Sequence, residues 1–333
     1  MSRNYPAPVA APADALPLMA PAPAVSATPP SPQQPRHQDH LDGVAIVSLL
    51  ACCLLWGLNQ VAIKAVLPEV PALVQLSLRS GIAALLVLGW MRWRGVSFSL
   101  RDGTLGPGLL AGLIFAVEFG CIFIGLKYTT AARSVVFINT SPFVVAVLLA
   151  WLSPADRLNW RQIAGLLLAF VAIAQAFGEG FTHRATTLAE SDQLFGDALL
   201  LLAALLWGLT TVVIRTSALR SAPSEKTLAY QLVVAALLSP LAAVWAGQGL
   251  PAEWSLLALG SVFYQGVIVT FASYLVWFWL LTTYPATKVQ AFVFLTPIFG
   301  TASAGLLLGE PLGPRLLLAL LGVVIGLVLM NRR

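Results

Sequence analysis

Charge is what this sequence has least of: 14 acidic and 19 basic residues among 333, or 10% of the chain, against about 25% in an average soluble domain. So few charged groups cannot wet a globular surface, and a soluble enzyme is excluded. Histidine is scarcer still. His37, His40 and His183 are the whole supply, and all lie in polar stretches, so no cluster of His, Asp and Glu forms an acid–base or metal centre at a membrane face. Cys52, Cys53 and Cys121 are the only cysteines, and each sits inside an apolar run. Adjacent cysteines on a helix point about 100° apart, so neither a disulfide framework nor a zinc knuckle is indicated. No glycine loop of the phosphate-cradling kind occurs, which leaves ATP without a site. The reading is therefore of a non-enzyme with no cofactor and no metal.

What the chain has in abundance is apolar length. Hydrophobic residues make up 58% and the mean hydropathy is +0.84. They fall into runs of roughly 20, the length that crosses a slab of hydrocarbon about 30 Å thick as helix. A transmembrane barrel would show short alternating strands instead. Ten spans are predicted: 44–67, 72–91, 105–126, 131–152, 162–177, 195–214, 228–246, 256–281, 289–308 and 316–330. Residues 1–43 are rich in Pro and Ala with no unbroken apolar stretch, and read as a disordered cytoplasmic tail. Residues 179–193, with Glu179, His183, Arg184, Glu190 and Asp192, read as the loop joining a first unit (44–178) to a second (194–333).

Basic residues near span ends stay on the cytoplasmic side. With the amino terminus inside, 13 of the 19 Lys and Arg fall in cytoplasmic segments, so both termini are expected there. The same distribution removes nucleic acid as a partner, because the net charge of +5 is spread over span ends and forms no patch. The expected partners are a lipid bilayer and a small molecule, with a single chain as the unit.

The chain also repeats itself. Leu54-Leu55-Trp56-Gly57-Leu58 returns as Leu205-Leu206-Trp207-Gly208-Leu209, and Lys64 answers to Arg215 at the same offset. Tyr128 leads to Pro142 and then Asp156, as Tyr284 leads to Pro297 and then Glu310. Five spans per unit force the second copy to enter the membrane from the opposite side, the arrangement of inverted-repeat transporters. The fold expected is all-α and integral to the membrane: ten transmembrane helices as two inverted five-helix repeats around a central cavity.

At this level of detail the chain resembles the EamA-type members of the drug/metabolite transporter superfamily. The residues that carry the resemblance are Leu55-Trp56-Gly57-Leu58-Asn59, Leu78-Arg79, Leu126-Lys127-Tyr128-Thr129-Thr130-Ala131 and Ser141-Pro142. In the second half they are Trp207-Gly208, Tyr284-Pro285-Ala286, Leu295-Thr296-Pro297 and Leu307-Leu308-Gly309-Glu310-Pro311-Leu312. The resemblance implies export of small metabolites across the bacterial inner membrane, foremost amino acids, including aromatic or neutral ones. Drug-like organic cations and nucleotide sugars are the other substrate classes it allows. Asp156, in Ser153-Pro154-Ala155-Asp156-Arg157, departs from the Gly-Glu that such proteins usually carry there.

Polar groups inside spans are costly and face a wet cavity or one another. Arg79 and Glu118 both lie roughly 10 to 12 Å inside the bilayer at about 1.5 Å per helical residue. They are candidates either for an ion pair between helices or for binding a charged substrate end and a coupled proton. Asn59, Gln60 and Gln231 are amides able to hydrogen-bond a ligand without a charge's desolvation cost. Trp56, Trp207, Tyr264 and Tyr274 are the aromatic residues expected to face the cavity, as rings suited to cyclic or cationic groups. Pro142 and Pro297 stand at matching places and each removes an internal hydrogen bond, so kinks that act as hinges are expected at both.

Overall fold

The computed structural model describes residues 41–99, 101–152, 159–182, 188–284, 289 and 292–331. The segment 1–40, Asp156 and the middle of the joining stretch, 183–187, lie outside the described residues. Among those described, all regular structure is helical.

The helices are α1 (Gly43–Val66), α2 (Ala72–Trp93), α3 (Leu105–Tyr128), α4 (Ala131–Ile138), α5 (Ser141–Leu152), α6 (Trp160–Thr182), α7 (Leu188–Thr216) and α8 (Ser224–Trp245). Then come α9 (Leu256–Phe263), a π-helical stretch Tyr264–Ser273, α10 (Tyr274–Thr283), α11 (Leu295–Leu308) and α12 (Pro314–Asn331). A 3-10 turn, Ala218–Ser221, links α7 to α8. Seven helical runs among the described residues are long and apolar enough to cross a membrane: Gly43–Val66, Ala72–Trp93, Leu105–Tyr128, Ala131–Leu152, Ser191–Thr216, Ser224–Trp245 and Leu256–Leu280. Trp160–Ala172, Leu295–Leu308 and Pro314–Leu329 are shorter apolar helices. Large apolar side chains stay outside: Leu256 is 88% exposed and Trp245 92%. Such a surface suits lipid, where the backbone must satisfy its own hydrogen bonds and helices do so internally.

The helix ends follow from local chemistry. Asp42 accepts a hydrogen bond from Ala45 N (2.8 Å) and starts α1, and Ser255 caps α9 through Ala258 N (3.0 Å). Gly309 closes α11 at φ 64°, a left-handed conformation that a side chain would strain. Most of 179–193, expected as a loop, is helical, since α6 runs to Thr182 and α7 begins at Leu188. Residues such as Asp192 are acceptable in an early helical turn, where the N-terminal dipole favours negative charge.

Pro142 and Pro297 do not kink continuous helices. The helical path breaks just before each, at Asn139–Thr140 and at 292–294, and the proline sits in the first turn of the next helix, α5 or α11. A first-turn residue has no intrahelical bond to lose, so proline is accommodated there. Pro240, by contrast, lies inside α8 near its end.

Packing pairs helices from the two units: α1 with α11, α5 with α7, α2 with α8, and α6 with α12. Two of these contacts depend on equivalent glycines. A Cβ on Gly57 would stand 2.6 Å from Gly300 N on α11, and one on Gly208 would stand 2.6 Å from Val144 Cγ1 on α5. Loops then clamp α2 and α8 reciprocally. After α2, Ser99 O and Asp102 hold Lys226 Nζ, each at 2.5 Å, and Thr104 Oγ1 lies 3.1 Å from Tyr230 Oη. After α8, Gln248 Oε1 accepts from Leu73 N (2.8 Å), and Ser255 donates to Glu69 through both N and Oγ (2.6 Å). Hydrogen bonds from Lys226 and Thr104 pull the Asp102 carboxyl down to about 2, and the Ser255 donors lower that of Glu69.

Candidate functional site

A cavity of about 430 Å³ lies among α1, α2, α3, α4, α7, α8 and α10. Eight of the nine residues expected to face such a space do line it: Trp56, Asn59, Gln60, Arg79, Glu118, Trp207, Gln231 and Tyr274. The reason is general, since a polar group on a lipid-crossing helix is stable only on the inward side. Tyr264 is the exception. Its hydroxyl donates to Leu55 O (2.7 Å), and it serves the contact between α1 and the π-helical stretch, away from the cavity wall.

Arg79 and Glu118 share the cavity without pairing. The Arg79 guanidinium lies 4.0 Å over the Phe119 ring, and its Nε donates to Thr270 Oγ1 (2.7 Å). Thr270 in turn donates to Gln265 O (2.7 Å). That bond depends on the π-helical winding of 264–273, whose wider turn places Thr270 against α2. Arg79 Nη1 has no hydrogen-bond partner among the described residues. Glu118, only 3% exposed, faces the cavity and makes no hydrogen bond or ion pair with another described residue. The interhelical ion pair anticipated as one role for these two residues is therefore not made.

The amides are equally unspent. Asn59 Oδ1 and Gln60 Oε1 are buried and lack partners among the described residues, as do Thr210 Oγ1 and Thr296 Oγ1 nearby. The aromatic wall, by contrast, is fixed. Trp56 Nε1 donates to Ser273 Oγ (2.9 Å), and its ring meets Trp277 edge-on at 5.0 Å and Tyr274 at 6.1 Å. Thr210, Thr296 and Asn139 were missed as cavity residues. Thr296 lies in the Leu295-Thr296-Pro297 motif, which marks it in retrospect, whereas Thr210 and Asn139 carry no comparable signal.

The two ends of the cavity differ. One end reaches the link between α7 and α8, where Leu219, Ala222 and the exposed Arg220 line it. Arg220 thus joins Arg79 as a second cation of the lining. The opposite end of the bundle is shut by charge. Arg133 at the start of α4 pairs with the buried Asp197 of α7 (Nη2 to Oδ2, 2.5 Å), which also accepts from Thr129 Oγ1 (2.7 Å). Lys64 Nζ donates to Leu126 O (2.5 Å) and Thr129 O (2.7 Å). Glu310 reaches across from the end of α11 to cap α4, accepting from Ala131 N (2.8 Å) and Ala132 N (2.9 Å).

Comparison with known proteins gives consistent results. The profile of the EamA-like transporter family matches twice, over residues 43–177 and 194–332. An uncharacterized transporter of Archaeoglobus fulgidus is 26% identical over 258 residues, covering 77% of this chain and 86% of the relative. A probable amino-acid metabolite efflux pump of Escherichia coli is 24% identical over 276 residues, covering 80% and 87%. The pump of the same description in Salmonella typhimurium is 26% identical, covering 79% and 86%. A solved crystal structure superposes with a TM-score of 0.58 at 19% identity, covering 87% of this chain and 99% of that one, which establishes a shared fold.

Proposed function

The chain belongs to the EamA-like transporter family of multi-pass membrane proteins, and from that premise we propose that it exports a small metabolite, an amino acid, by alternating access. The observation that carries this reading is the one-ended cavity: open at the α7–α8 link, lined by buried polar groups and rings, and shut at the other end by Arg133, Asp197, Lys64 and Glu310. A channel would need a path through both ends, whereas a carrier opens one at a time.

Two inverted five-helix units supply the moving parts. Supporting this are the double family match and the packing, in which α1 with α11 corresponds to α7 with α5, and α3 with α7 corresponds to α10 and the π-helical stretch with α1. Pairs that map onto one another can exchange arrangements, so that the open end becomes the closed one. Pro142 and Pro297, each opening a helix just after a break, are the proposed hinges. With the termini in the cytoplasm, as the Lys and Arg distribution favours, the open end faces the cytoplasm of a bacterial inner membrane. No nucleotide-binding loop occurs in the sequence, so a gradient of substrate or ions drives the cycle.

An amino acid is favoured by the names of the two enterobacterial relatives and by a cavity that offers charge and amide groups beside rings. An organic cation is the second reading, supported by the Glu118 carboxyl group lining the same cavity as Trp56 and Tyr274. Counterflow in proteoliposomes against amino acids, lipophilic cations and sugar nucleotides separates them. Saturable exchange of an amino acid is expected, and exchange of cations or sugar nucleotides alone overturns the reading.

A further inference from the structure

A basic and an acidic side chain buried in one cavity with no hydrogen bond or close ion pair between them are unusual. Removing either from water is costly unless it is paired, and a guanidinium and a carboxylate that merely fasten helices together would meet directly. Here Arg79 is 1% exposed and Glu118 3%, yet no ion pair forms between them. Arg79 is held in place by Thr270 and Phe119 with Nη1 left over. The unpartnered oxygens of Asn59 and Gln60 add two more acceptors to the same cavity.

We infer that this cavity reads both charges of a zwitterion, with Arg79 taking a carboxylate and Glu118, Asn59 and Gln60 taking an ammonium group. The inference rests on the amino-acid reading above and narrows it. A plain cation satisfies Glu118 but leaves Arg79 Nη1 unpaired and meets a like charge. A plain anion leaves Glu118 and the amide oxygens without donors. A ligand carrying both ends completes every group at once, and because it is neutral overall it leaves the charge of the cavity unchanged. The substrate itself therefore adds no charge movement to the transport step. Arg79, Glu118, Asn59 and Gln60 all come from α1, α2 and α3, so the head group is recognised by the first unit. The second unit contributes Trp207, Gln231, Tyr274 and Trp277 to the remaining wall.

The test is competition on counterflow. L-Phenylalanine exchange is challenged by phenethylamine, which lacks the carboxylate, and by 3-phenylpropionate, which lacks the ammonium. L-Leucine is challenged likewise by isoamylamine and 4-methylpentanoate. Each one-charged analogue should compete at least about 10-fold more weakly than its parent, the scale of one lost charge-assisted hydrogen bond. Arg79→Gln should erase the discrimination against the amine alone, and Glu118→Gln that against the acid alone. These ratios are internal to each variant, so a general loss of folded protein does not mimic them. Analogues that compete as well as the amino acids, or variants that lower all three ligands alike, overturn the inference while leaving amino-acid export standing. Absence of any amino-acid exchange defeats the export reading itself.

Discussion

The two ends of the helix bundle are built from different chemistry. At the shut end, the start of α4 is tied down by a buried ion pair, Arg133 with Asp197, and by the Glu310 carboxylate on two backbone N–H groups. At the other end the place that corresponds to Arg133 by the repeat is Val289, in a small apolar cluster with Ala45, Leu49, Leu280 and Tyr284. At this end the cavity reaches the α7–α8 link, lined there by Leu219, Arg220 and Ala222. Direct charged contacts hold a narrow set of geometries, whereas apolar contacts in a lipid-filled surrounding gain little from burial, so the charged end is the one that stays shut.

The largest effect should come from breaking the ion pair. Asp197→Ala removes the acidic partner of the buried Arg133, which costs roughly 3–5 kcal/mol, seen as a large drop in melting temperature in detergent. The double variant Arg133→Met with Asp197→Leu should recover most of that loss. A single variant that melts like the parent contradicts a charged seal. Next, Gly57→Val forces a side chain onto Gly300 N, with an overpacking cost of about 1–3 kcal/mol. Gly89→Val meets nothing within 4 Å and serves as control, so equal melting of the two would remove the α1–α11 contact from the account. Glu310→Ala deletes the carboxylate cap of α4, leaving that of Thr130 on Arg133 N, and should cost about 0.5–2 kcal/mol, with hydrogen exchange rising first at Ala131 and Ala132.

The smallest effect concerns pH. Asp102 is held at about 2, below its ordinary 3.8, chiefly by hydrogen bonds from Lys226 and Thr104. A depressed carboxyl stabilises the fold above its unfolded value, and that contribution fades as pH falls toward the folded one. The difference in melting temperature between the parent and Asp102→Asn should therefore be flat from pH 8 to about 5 and shrink only below about 4. A difference that vanishes near pH 6 would show that the clamp on α8 does not depend on this carboxylate.

Hydropathy made much of the fold legible, because the seven helical runs long and apolar enough to cross a membrane all fall on predicted spans, and the need to hide polar groups from lipid placed Arg79, Glu118 and the amides on the cavity. What it could not show were pairings set by three-dimensional neighbours. Tyr264 looked like a ligand-facing ring, but Leu55 O claims its hydroxyl. The π-helical winding that brings Thr270 to Arg79 leaves no periodic trace in the ten residues Tyr264–Ser273. Asp197, near the start of a predicted span, gave no hint of Arg133, 64 positions earlier in the chain.

The most direct test of a carrier open at one end is labelling by a membrane-impermeant maleimide after Cys52, Cys53 and Cys121 are replaced by alanine. Thr227→Cys, near the α7–α8 link, should react in inside-out vesicles and be protected in right-side-out ones, with Thr129→Cys at the shut end unreactive in both until a transported amino acid is added. Reaction of Thr227→Cys only from the periplasmic side, or of both sites from both sides at once, would contradict the account.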